Sequence, residues 1–309
     1  MLPKGTFPDK IFLNSEIISS SEATISVFDR GFLFGDGIYE VMVQLENGLF
    51  YKDAHLERLQ KNLEKIGIAY DVSEMEAQLD PLLMASNLSN KPCLIYMQVT
   101  RGVAPRKHAF PKDTSPTVMI YALPYALPHI NTKNIHAILR SDNRWLRCDI
   151  KSISLLGNVM ANERAMEENA EEAVLVRDGF ITEGSHTNIF FVKSGKVYTH
   201  PANQLILDGI TRKIVLKLCE ELDIPLMEKA IGVDEIDNMD EAFLTGTTTQ
   251  IASIAQLGDH IYHAPNAIGT TTKTLQEAFA GLKKLEPSKL VLWAIPKKIG
   301  TWTAERWIN

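Results

Sequence analysis

Short strand candidates separated by turn dipeptides fill the second half of the chain, and they constrain its fold more than any other feature. The turns are Asp178-Gly179, Ser194-Gly195 and Gly258-Asp259. The strand candidates are Ala173–Arg177, Ile189–Val192, Lys196–Thr199, Pro225–Ala230, Glu241–Leu244 and Ile251–Gln256. The helices predicted beside them are Asn158–Glu171, Ile210–Leu222 and Thr271–Leu282. This mixture predicts an α+β fold.

The first half also mixes both kinds of element. Asp53–Ile66 is predicted to be a helix because its leucines recur at helical spacing. Ser73–Leu88 is a second helical stretch, which Pro81 should kink or split. The strand candidates are Lys10–Ile18, Tyr39–Gln44, Leu49–Lys52, Cys93–Thr100 and Thr117–Leu123.

A chain of 309 residues exceeds the usual span of one hydrophobic core, so two domains are expected. We place a small N-terminal α/β domain at residues 1–124, a linker at 125–133 and a larger domain at 134–286. The remaining segment, 287–309, is basic and holds three of the four tryptophans. It could contact the acidic body, an oligomer interface or a membrane surface, or be a poorly ordered terminus.

Composition excludes several classes of protein. Apolar residues at 45% and charged residues at 23% are typical of globular proteins, and the net charge of −6 gives no footprint for nucleic acid. No apolar run approaches the roughly 20 residues of a membrane span, and the N-terminus lacks a secretory signal. Three widely spaced cysteines fit a reducing compartment. We therefore expect a cytoplasmic protein without a metal site.

Two polar residues are the first candidates for chemistry. Lys151 lies among Trp145, Cys148 and Ile150, where partial burial would favour a neutral, nucleophilic amine. Glu183 lies in a dense polar turn between two strands, from which a carboxylate could point into a cleft. Taken singly, each residue is better explained as an ordinary solvated side chain.

Three further segments could bind anions. Asp208–Arg212 opens a helix whose free N–H groups suit a phosphate, although simple N-capping by Asp208 explains it equally. Thr245–Thr249 is a second turn rich in hydrogen-bond donors. Arg106 and His108 lie in the basic loop Arg101–His108 and could form a carboxylate clamp with Tyr39, unless the loop is merely solvated.

Taken together, these segments resemble the fold-type IV pyridoxal-phosphate enzymes, and most closely the bacterial D-amino-acid transaminases. The resemblance runs from about Phe12 to Leu282, and its six blocks keep the expected order. The blocks are DRG through FGDGIYE, TRGVAPRKH, RWLRCDIKSISLLGN, TEGSHTN, YTHPANQLILDGITR and FLTGTTT. The resemblance implies a two-domain fold in which the larger domain is a pseudo-barrel of short strands.

The resemblance also implies a role for each cofactor-binding residue. Lys151 would form a Schiff base with pyridoxal 5′-phosphate (PLP) and carry the proton between substrate and cofactor. Glu183 would pair with the pyridine nitrogen. The residues expected to hold the phosphate end are Arg58, Ile210, Thr211, Gly246 and Thr247.

The substrate side follows from the same resemblance. Tyr39, Arg106 and His108 would bind the substrate α-carboxylate, with Arg106 and His108 supplied by the partner subunit of a homodimer. The Pro-Arg-x-His element resembles the D-amino-acid transaminase clamp, which predicts a ping-pong transaminase for D-alanine-like amino acids and 2-oxo acids.

Alternatives remain on the same fold. An aminodeoxychorismate lyase and an L-branched-chain aminotransferase would use the same cofactor, and a non-catalytic binding module would use none. Two residues depart from the pattern of the family: His186 stands where a small hydroxyl residue is expected, and Gly246 where a serine is expected.

Overall fold

Two β-sheets form the frame of the part of the chain that the computed structural model describes, which comprises residues 7–130, 134–264 and 267–290. The strands of the first sheet are β1 (Lys10–Leu13), β2 (Glu16–Ser19), β3 (Gly37–Leu45), β4 (Gly48–Leu49), β5 (Cys93–Thr100) and β6 (Thr117–Pro124). Its order is β2-β1-β6-β5-β3-β4, and every pairing is antiparallel. In the central pair, Gly37 lies opposite Thr100 and Gln44 opposite Cys93.

The second sheet has nine strands within the described residues. They are β7 (Asn134–Ser141), β8 (Glu172–Arg177), β9 (Phe180–Gly184), β10 (Asn188–Lys193), β11 (Lys196–Thr199), β12 (Leu226–Glu228), β13 (Glu241–Gly246), β14 (Gln250–Leu257) and β15 (His260–Ile261). The order is β12-β11-β10-β13-β14-β7-β8-β9, with β15 paired to β14. Strand β7 runs parallel to both of its neighbours, β14 and β8. The sheets curl as half-barrels, so the expected mixed fold with a barrel-like second half is confirmed.

Seven α-helices cover these sheets in the described residues. They are α1 (Arg30–Phe34), α2 (Lys52–Lys65), α3 (Val72–Glu76), α4 (Leu79–Ala85), α5 (Leu156–Glu167), α6 (Ile210–Glu221) and α7 (Thr270–Leu282). Short 3-10 helices span Val233–Asn238 and Pro287–Lys289. No helix in the described ranges is long and apolar enough to cross a membrane.

Helix α2 shows how the sequence couples packing to the site. Leu59 and Leu63 are fully buried in the core between the first sheet and helices α2–α4. Each such side chain contributes about 1.5–3 kcal/mol to folding. His55, Arg58 and Asn62 recur at the same helical spacing and are also buried. One helix therefore packs the core with its leucines and presents a polar row toward the second half of the chain.

A second core joins the two sheets. Phe190 and Phe243 stack at a 4.9 Å ring-centroid distance beneath α6 and α7. Val43, Phe50 and Tyr51 from the first sheet and its hairpin belong to the same cluster. The two halves of the chain therefore share apolar side chains as well as a cleft.

Several elements differ from the sequence predictions. Glu183 lies in strand β9, not in a turn, and β7, β9 and α1 were not predicted at all. Strand β9 was not predicted because its buried side chains include polar ones, and strand prediction from sequence relies on buried apolar residues. Lys10–Ile18 is a hairpin rather than one strand, since Asn14 adopts a left-handed conformation with φ of 58°.

Pro81 splits the Ser73–Leu88 stretch only indirectly. The break falls at Ala77 and Gln78, and Pro81 lies in the first turn of α4, where its missing N–H costs nothing. Residues 125–130 of the predicted linker belong to no helix or strand, while 131–133 lie outside the described residues. Of the predicted tail, residues 291–309, with Trp293, Trp302 and Trp307, also lie outside them.

Candidate active site

A cavity of about 490 Å³ opens where the first sheet and α2 meet the second sheet and α6. Its walls come from β3, β9, β13, the segment after β7 and the N-terminal ends of α5 and α6. Eight of the ten predicted site residues line it: Tyr39, Arg58, Lys151, Glu183, Ile210, Thr211, Gly246 and Thr247. Residues separated by more than two hundred positions thus share one cleft.

Lys151 occupies the floor of this cavity, on the segment between β7 and α5. Its main-chain N–H donates to Asn62 Oδ1 at 2.9 Å, and its carbonyl accepts from Tyr39 N–H at 3.1 Å. Its Nζ lies 4.0 Å from the centroid of the Tyr39 ring. The main chain of Lys151 is therefore held by α2 and β3 while its half-buried amine faces the cavity.

Glu183 also lines the cavity and is buried. Its carboxylate accepts hydrogen bonds from the Leu207 N–H at 3.1 Å, from Asn188 Nδ2 at 2.9 Å and from Arg144 Nη1 at 2.5 Å. Burial raises the pKa of Glu183 to about 7, although the Arg144 charge and these hydrogen bonds act in the opposite direction. The carboxyl group is therefore set to exchange a proton near neutral pH.

Arg144 divides its guanidinium between two carboxylates. Besides Glu183, it contacts Asp142 through Nε and Nη2 at 2.9 Å each. Asp142 also accepts from the Thr182 hydroxyl and lies 3.0 Å from Arg177. Its negative charge contributes to the raised pKa of Glu183. This network fixes Glu183 in position without pairing it fully.

Arg58 is oriented by a carboxylate behind the cavity. Its Nε and Nη2 donate to Glu40 at 2.8 and 2.6 Å, and His55 Nδ1 lies 2.9 Å from the same carboxylate. Burial opposes ionisation of Glu40, but the charges of Arg58 and His55 outweigh it and hold its pKa well below the usual range. The guanidinium of Arg58 therefore enters the cavity wall as a fixed cation.

The N-terminus of α6 lies in the same part of the cavity as Arg58. Its N-cap is Gly209, which offers no capping side chain, and Asp208 turns away to pair with Arg212 at 3.0 Å. N-capping by Asp208, the alternative left open by the sequence, is therefore wrong. The first N–H groups of a helix without such a cap favour an anion.

An orphaned hydroxyl supports this assignment. Thr245 Oγ1 lines the cavity, is 1% exposed as a residue and has no hydrogen-bond partner in the described part of the chain. Thr211 and Thr247 add hydroxyl groups beside it. A cation, helical N–H groups and free hydroxyls match a phosphate, and the carboxyl of Glu183 at the other wall matches a ring nitrogen.

The two departures from the family pattern have different settings. A Cβ built at Gly246 comes no closer than 3.4 Å to another atom, so the position has space for a side chain. His186 lies at the cavity edge with its side chain 55% exposed, and its Nδ1 lies 3.0 Å from Ser185 Oγ and 3.2 Å from Glu172. Neither residue contacts Lys151 or Glu183 through a hydrogen bond in the described residues.

Arg106 and His108 are not brought to the cavity of their own chain. Both are exposed on the loop after β5 and pack on Phe34, whose ring lies 5.1 Å from the Arg106 guanidinium and 5.6 Å from the His108 ring. Tyr39 therefore faces the cavity without the two residues predicted to complete its clamp.

Several residues that shape the site had no function predicted from the sequence, namely Glu40, His55, Asn62, Asp142, Arg144 and Asn188. Glu40 and Arg144 lie within the blocks of family resemblance, which was the available signal. Their partners lie far along the chain, so spacing alone could not connect them. The Leu207 N–H, which donates to Glu183, is a main-chain group, so no side-chain pattern could predict its role.

Comparisons with known proteins agree with this geometry. The family model "Amino-transferase class IV" matches residues 37–257. The D-alanine aminotransferase of Bacillus licheniformis is 41% identical over 286 residues, covering 91% of this chain and 100% of that protein.

Solved structures give the same fold. The branched-chain aminotransferase of Thermoproteus uzoniensis, solved with norvaline, has a TM-score of 0.82 at 25% identity and covers 94% of this chain and 98% of its own. That of Thermobaculum terrenum, solved in its PLP form, has a TM-score of 0.79 at 24% identity and covers 92% and 96%. Since the family model spans most of the chain and the sequence relative matches along its whole length, this chain belongs to the class IV aminotransferases.

Proposed function

We propose that this protein is a PLP-dependent transaminase that moves an amino group between D-alanine-like amino acids and 2-oxo acids in a ping-pong cycle. The observation that carries the proposal is the convergence of Lys151, Glu183, Arg58 and the α6 N-terminus on one cavity. An amine, a carboxyl and an anion site in one cleft suit a phosphate-bearing pyridine.

The cofactor assignment follows from the donor set described above and from the PLP-form neighbour of Thermobaculum terrenum. PLP, when bound, supplies an aldehyde that combines with amines and a ring that accepts electrons from the substrate Cα. Arg58, Thr211, Thr247 and the N–H groups of Ile210 and Thr211 would hold its phosphate, and the Gly246 N–H could add a further donor. Glu183 would hold a proton at the ring nitrogen.

Lys151 and Glu183 would divide the proton chemistry. Lys151 Nζ would remove the proton from the substrate Cα as a general base and deliver it to C4′ of the cofactor as a general acid. Glu183, with its pKa near 7, would keep the pyridine nitrogen protonated and so favour negative charge at Cα. Asn62 and Tyr39 would keep the lysine main chain in register for this transfer.

We further propose a homodimer in which each subunit lends Arg106 and His108 to the other. Large apolar side chains are exposed around the loop that carries them, which is typical of an interface. These exposed residues include Val27, Phe28, Phe32, Val103, Phe110, Leu146, Leu156, Val159 and Met160. A second copy covering this surface would bring the partner's Arg106 and the partner's His108 toward Tyr39.

The preference for D-amino acids would follow from this clamp. If the α-carboxylate is fixed between Tyr39 and the partner's Arg106 and the partner's His108, the Cα hydrogen of only one enantiomer points toward Lys151. The curated relatives with the printed name D-alanine aminotransferase support that choice. The preferred side chain would then depend on the remaining cavity wall, including His186.

We propose a cytoplasmic location, because Cys93, Cys148 and Cys219 are all free and buried, as in proteins of reducing compartments. Burial raises the pKa of Cys148 to about 11, so that its thiol stays protonated beside the cavity. Cell fractionation with an antibody against the protein would test the assignment.

The test of the activity is a single-turnover half-reaction. Purified, PLP-loaded protein is mixed separately with D-alanine and L-alanine, and the absorbance of the cofactor is followed from its aldehyde to its amine form. We expect conversion by D-alanine only, no conversion by Lys151→Ala, and a KM for D-alanine raised at least tenfold by Arg106→Ala. An unchanged KM in the Arg106 variant would remove the clamp assignment.

The rival functions give different results in the same assay. Conversion by L-amino acids alone would indicate a branched-chain type of transaminase, and release of pyruvate from aminodeoxychorismate would indicate the lyase. Protein that binds no PLP would leave only a binding module.

A further inference from the structure

The Asp29-Arg30-Gly31 and Asp36-Gly37 elements of the sequence take no part in the proposed chemistry, yet Arg30 is 3% exposed. Its Nε donates to Asp36 Oδ2 at 2.7 Å, and its Nη1 donates to the Lys107 carbonyl at 2.6 Å. Lys107 is the residue between Arg106 and His108. A buried guanidinium therefore contacts the main chain midway between the two predicted clamp residues.

We name residues 105–110 the clamp loop. The segment just before it is anchored by main-chain bonds: Arg30 N–H donates to the Gly102 carbonyl at 2.9 Å and Ala104 N–H to the Phe28 carbonyl at 3.3 Å. Among the described residues, the bond from Arg30 is the single hydrogen bond that reaches the main chain of the clamp loop. Fixing this loop depends on that bond and on ring contacts.

Ring contacts reach the loop from two places. Arg101 lies 3.6 Å from the centroid of the Phe110 ring, and the other contacts converge on Phe34, one turn along α1 from Arg30. The Arg30 guanidinium lies 4.7 Å from the centroid of its ring, and the side chains of Arg106 and His108 pack on the same ring. A cation placed over an aromatic face is attracted to the electrons of the ring. Arg30 and Phe34 thus hold both clamp side chains and the carbonyl between them.

Asp36 connects this arrangement to helix α2. It also accepts from Arg101 Nε and Nη2 at 2.8 and 3.0 Å, and Arg101 donates to the carbonyls of Ile66 and Gly67 at the end of α2. Burial opposes ionisation of Asp36, but its bonds to Arg101 and Arg30 lower its pKa below the ordinary value. The carboxylate stays charged and gives Arg30 a fixed partner.

We infer that Arg30 is a positioning residue for the substrate carboxylate, and that it acts in the active site of the partner subunit. The inference rests on the proposed function, because it requires that Arg106 and His108 serve that site. Arg30 contacts neither substrate nor cofactor in this assignment. It fixes the loop, so its loss weakens substrate binding while Lys151 and Glu183 keep their own surroundings.

The first test compares Arg30→Met and Arg30→Lys homodimers with the charge-matched control Lys112→Met, at an exposed position beyond the loop. We expect both Arg30 variants to raise the KM for D-alanine roughly tenfold or more, with a much smaller change in kcat. Lysine keeps a charge beside Asp36 but cannot reach both acceptors, so Arg30→Lys keeps the test valid if Arg30→Met folds poorly. Control-like KM values would overturn the inference.

A readout independent of turnover is limited proteolysis with trypsin, which cuts after Arg106 and Lys107. Cleavage at these two residues should be faster in the Arg30 variants, while cleavage within α2 should not change. Equal cleavage in the loop would contradict its dependence on Arg30.

The decisive test uses two heterodimers. In the first, an Arg30→Met subunit pairs with a Lys151→Ala subunit, so the single site with a lysine receives its clamp loop from the chain with intact Arg30. Its KM should return to the wild-type value. In the second, one chain carries both substitutions and pairs with a wild-type chain, and its KM should stay raised.

Outcomes of these experiments separate the two levels of the proposal. A raised KM in the first heterodimer, or a normal one in the second, would show that Arg30 does not act across the interface. Wild-type protein that fails to convert D-alanine, or an Arg106→Ala variant with normal KM, would instead refute the proposed function.

Discussion

Two buried carboxylates flank the cavity, and their pKa values move in opposite directions. Behind Arg58, Glu40 receives two guanidinium bonds and faces His55, and its pKa falls well below the ordinary range. In the other wall, Glu183 shares its guanidinium with Asp142, and burial raises its pKa to about 7. The comparison teaches that burial beside an arginine does not by itself decide the charge of a carboxyl group. The interactions of Glu40 with Arg58 and His55 outweigh its burial, whereas burial prevails at Glu183, whose arginine also pairs with Asp142.

Breaking the Glu40 region should have the largest effect. Glu40→Gln leaves Arg58 buried without its counter-charge, which costs about 3–5 kcal/mol when a buried ion pair loses one member. We expect that loss in urea unfolding of the cofactor-free protein at pH 7, with PLP affinity lowered at least tenfold by fluorescence titration. The control Glu57→Gln, on the exposed face of α2, should lie within about 0.5 kcal/mol of wild type. A near-neutral Glu40→Gln would contradict the role of the pair.

The pH dependence of stability should separate the two regions next. Because the folded pKa of Glu183 is raised above its ordinary 4.5, its contribution is full below pH 4.5 and is lost as pH rises through about 7. Glu40, with a lowered folded pKa, contributes above pH 4.5 and loses that contribution as pH falls. Relative to wild type, Glu183→Gln should thus gain stability from pH 4.5 to 8, whereas the deficit of Glu40→Gln should stay constant over that range and shrink as pH falls below 4.5. Parallel profiles would refute the contrast.

Asp142→Asn should sharpen the comparison by a smaller amount. Without the Asp142 carboxylate, Arg144 would pair with Glu183 only, so the pKa of Glu183 should fall by about one unit. Carbon-13 NMR of labelled glutamate side chains, assigned with Glu183→Gln, would measure it in the cofactor-free protein. The exposed control Asp178→Asn should leave the titration unchanged. A pKa that stays near 7 would attribute the shift to burial alone.

Glu221 should give the smallest effect. The pKa of this carboxyl group is raised by burial, and no arginine is among the charges that act on it. Burial raises its pKa to about 7 despite the nearby charge of Lys217, and its Oε1 has no hydrogen-bond partner in the described residues. Glu221→Gln should raise the melting temperature by about 1–3 °C at pH 8 and leave it unchanged at pH 5. Its neighbour Glu220→Gln should show no such gain. Equal shifts at both pH values would mean that the charge is not the cause.

The sequence predicted the parts of this fold that repeat regularly. Helix α2 was found to within a residue at each end because Leu56, Leu59 and Leu63 mark one buried face. Strand β9 was missed because Thr182, Glu183 and Gly184 are typical of a polar turn, and only their pairing with β8 in the second sheet makes this segment a strand. The family, predicted from six ordered blocks, is confirmed by the family match, and the relatives with the printed name D-alanine aminotransferase support the proposed activity.

The site was predictable only in its separate parts. Resemblance assigned Lys151 and Glu183, but Arg144 contacts a carboxylate 39 positions away and Glu40 contacts an arginine 18 positions away. Such pairs are set by how strands and helices pack, which no single-chain pattern reports. The clamp is harder still, since its assigned residues face away from the cavity of their own chain.

The apolar cluster shared by both halves has a consequence for how the chain is made. Val43, Phe50 and Tyr51 leave the ribosome well before Phe190, Phe243 and the helices that cover them. Asn47, in the same hairpin, donates to the carbonyls of Lys283 and Leu285. Domains generally fold as they emerge during synthesis. Here, the apolar side chains of the nascent first sheet would stay exposed until α7 has been translated. During that interval we expect chaperones to bind this surface.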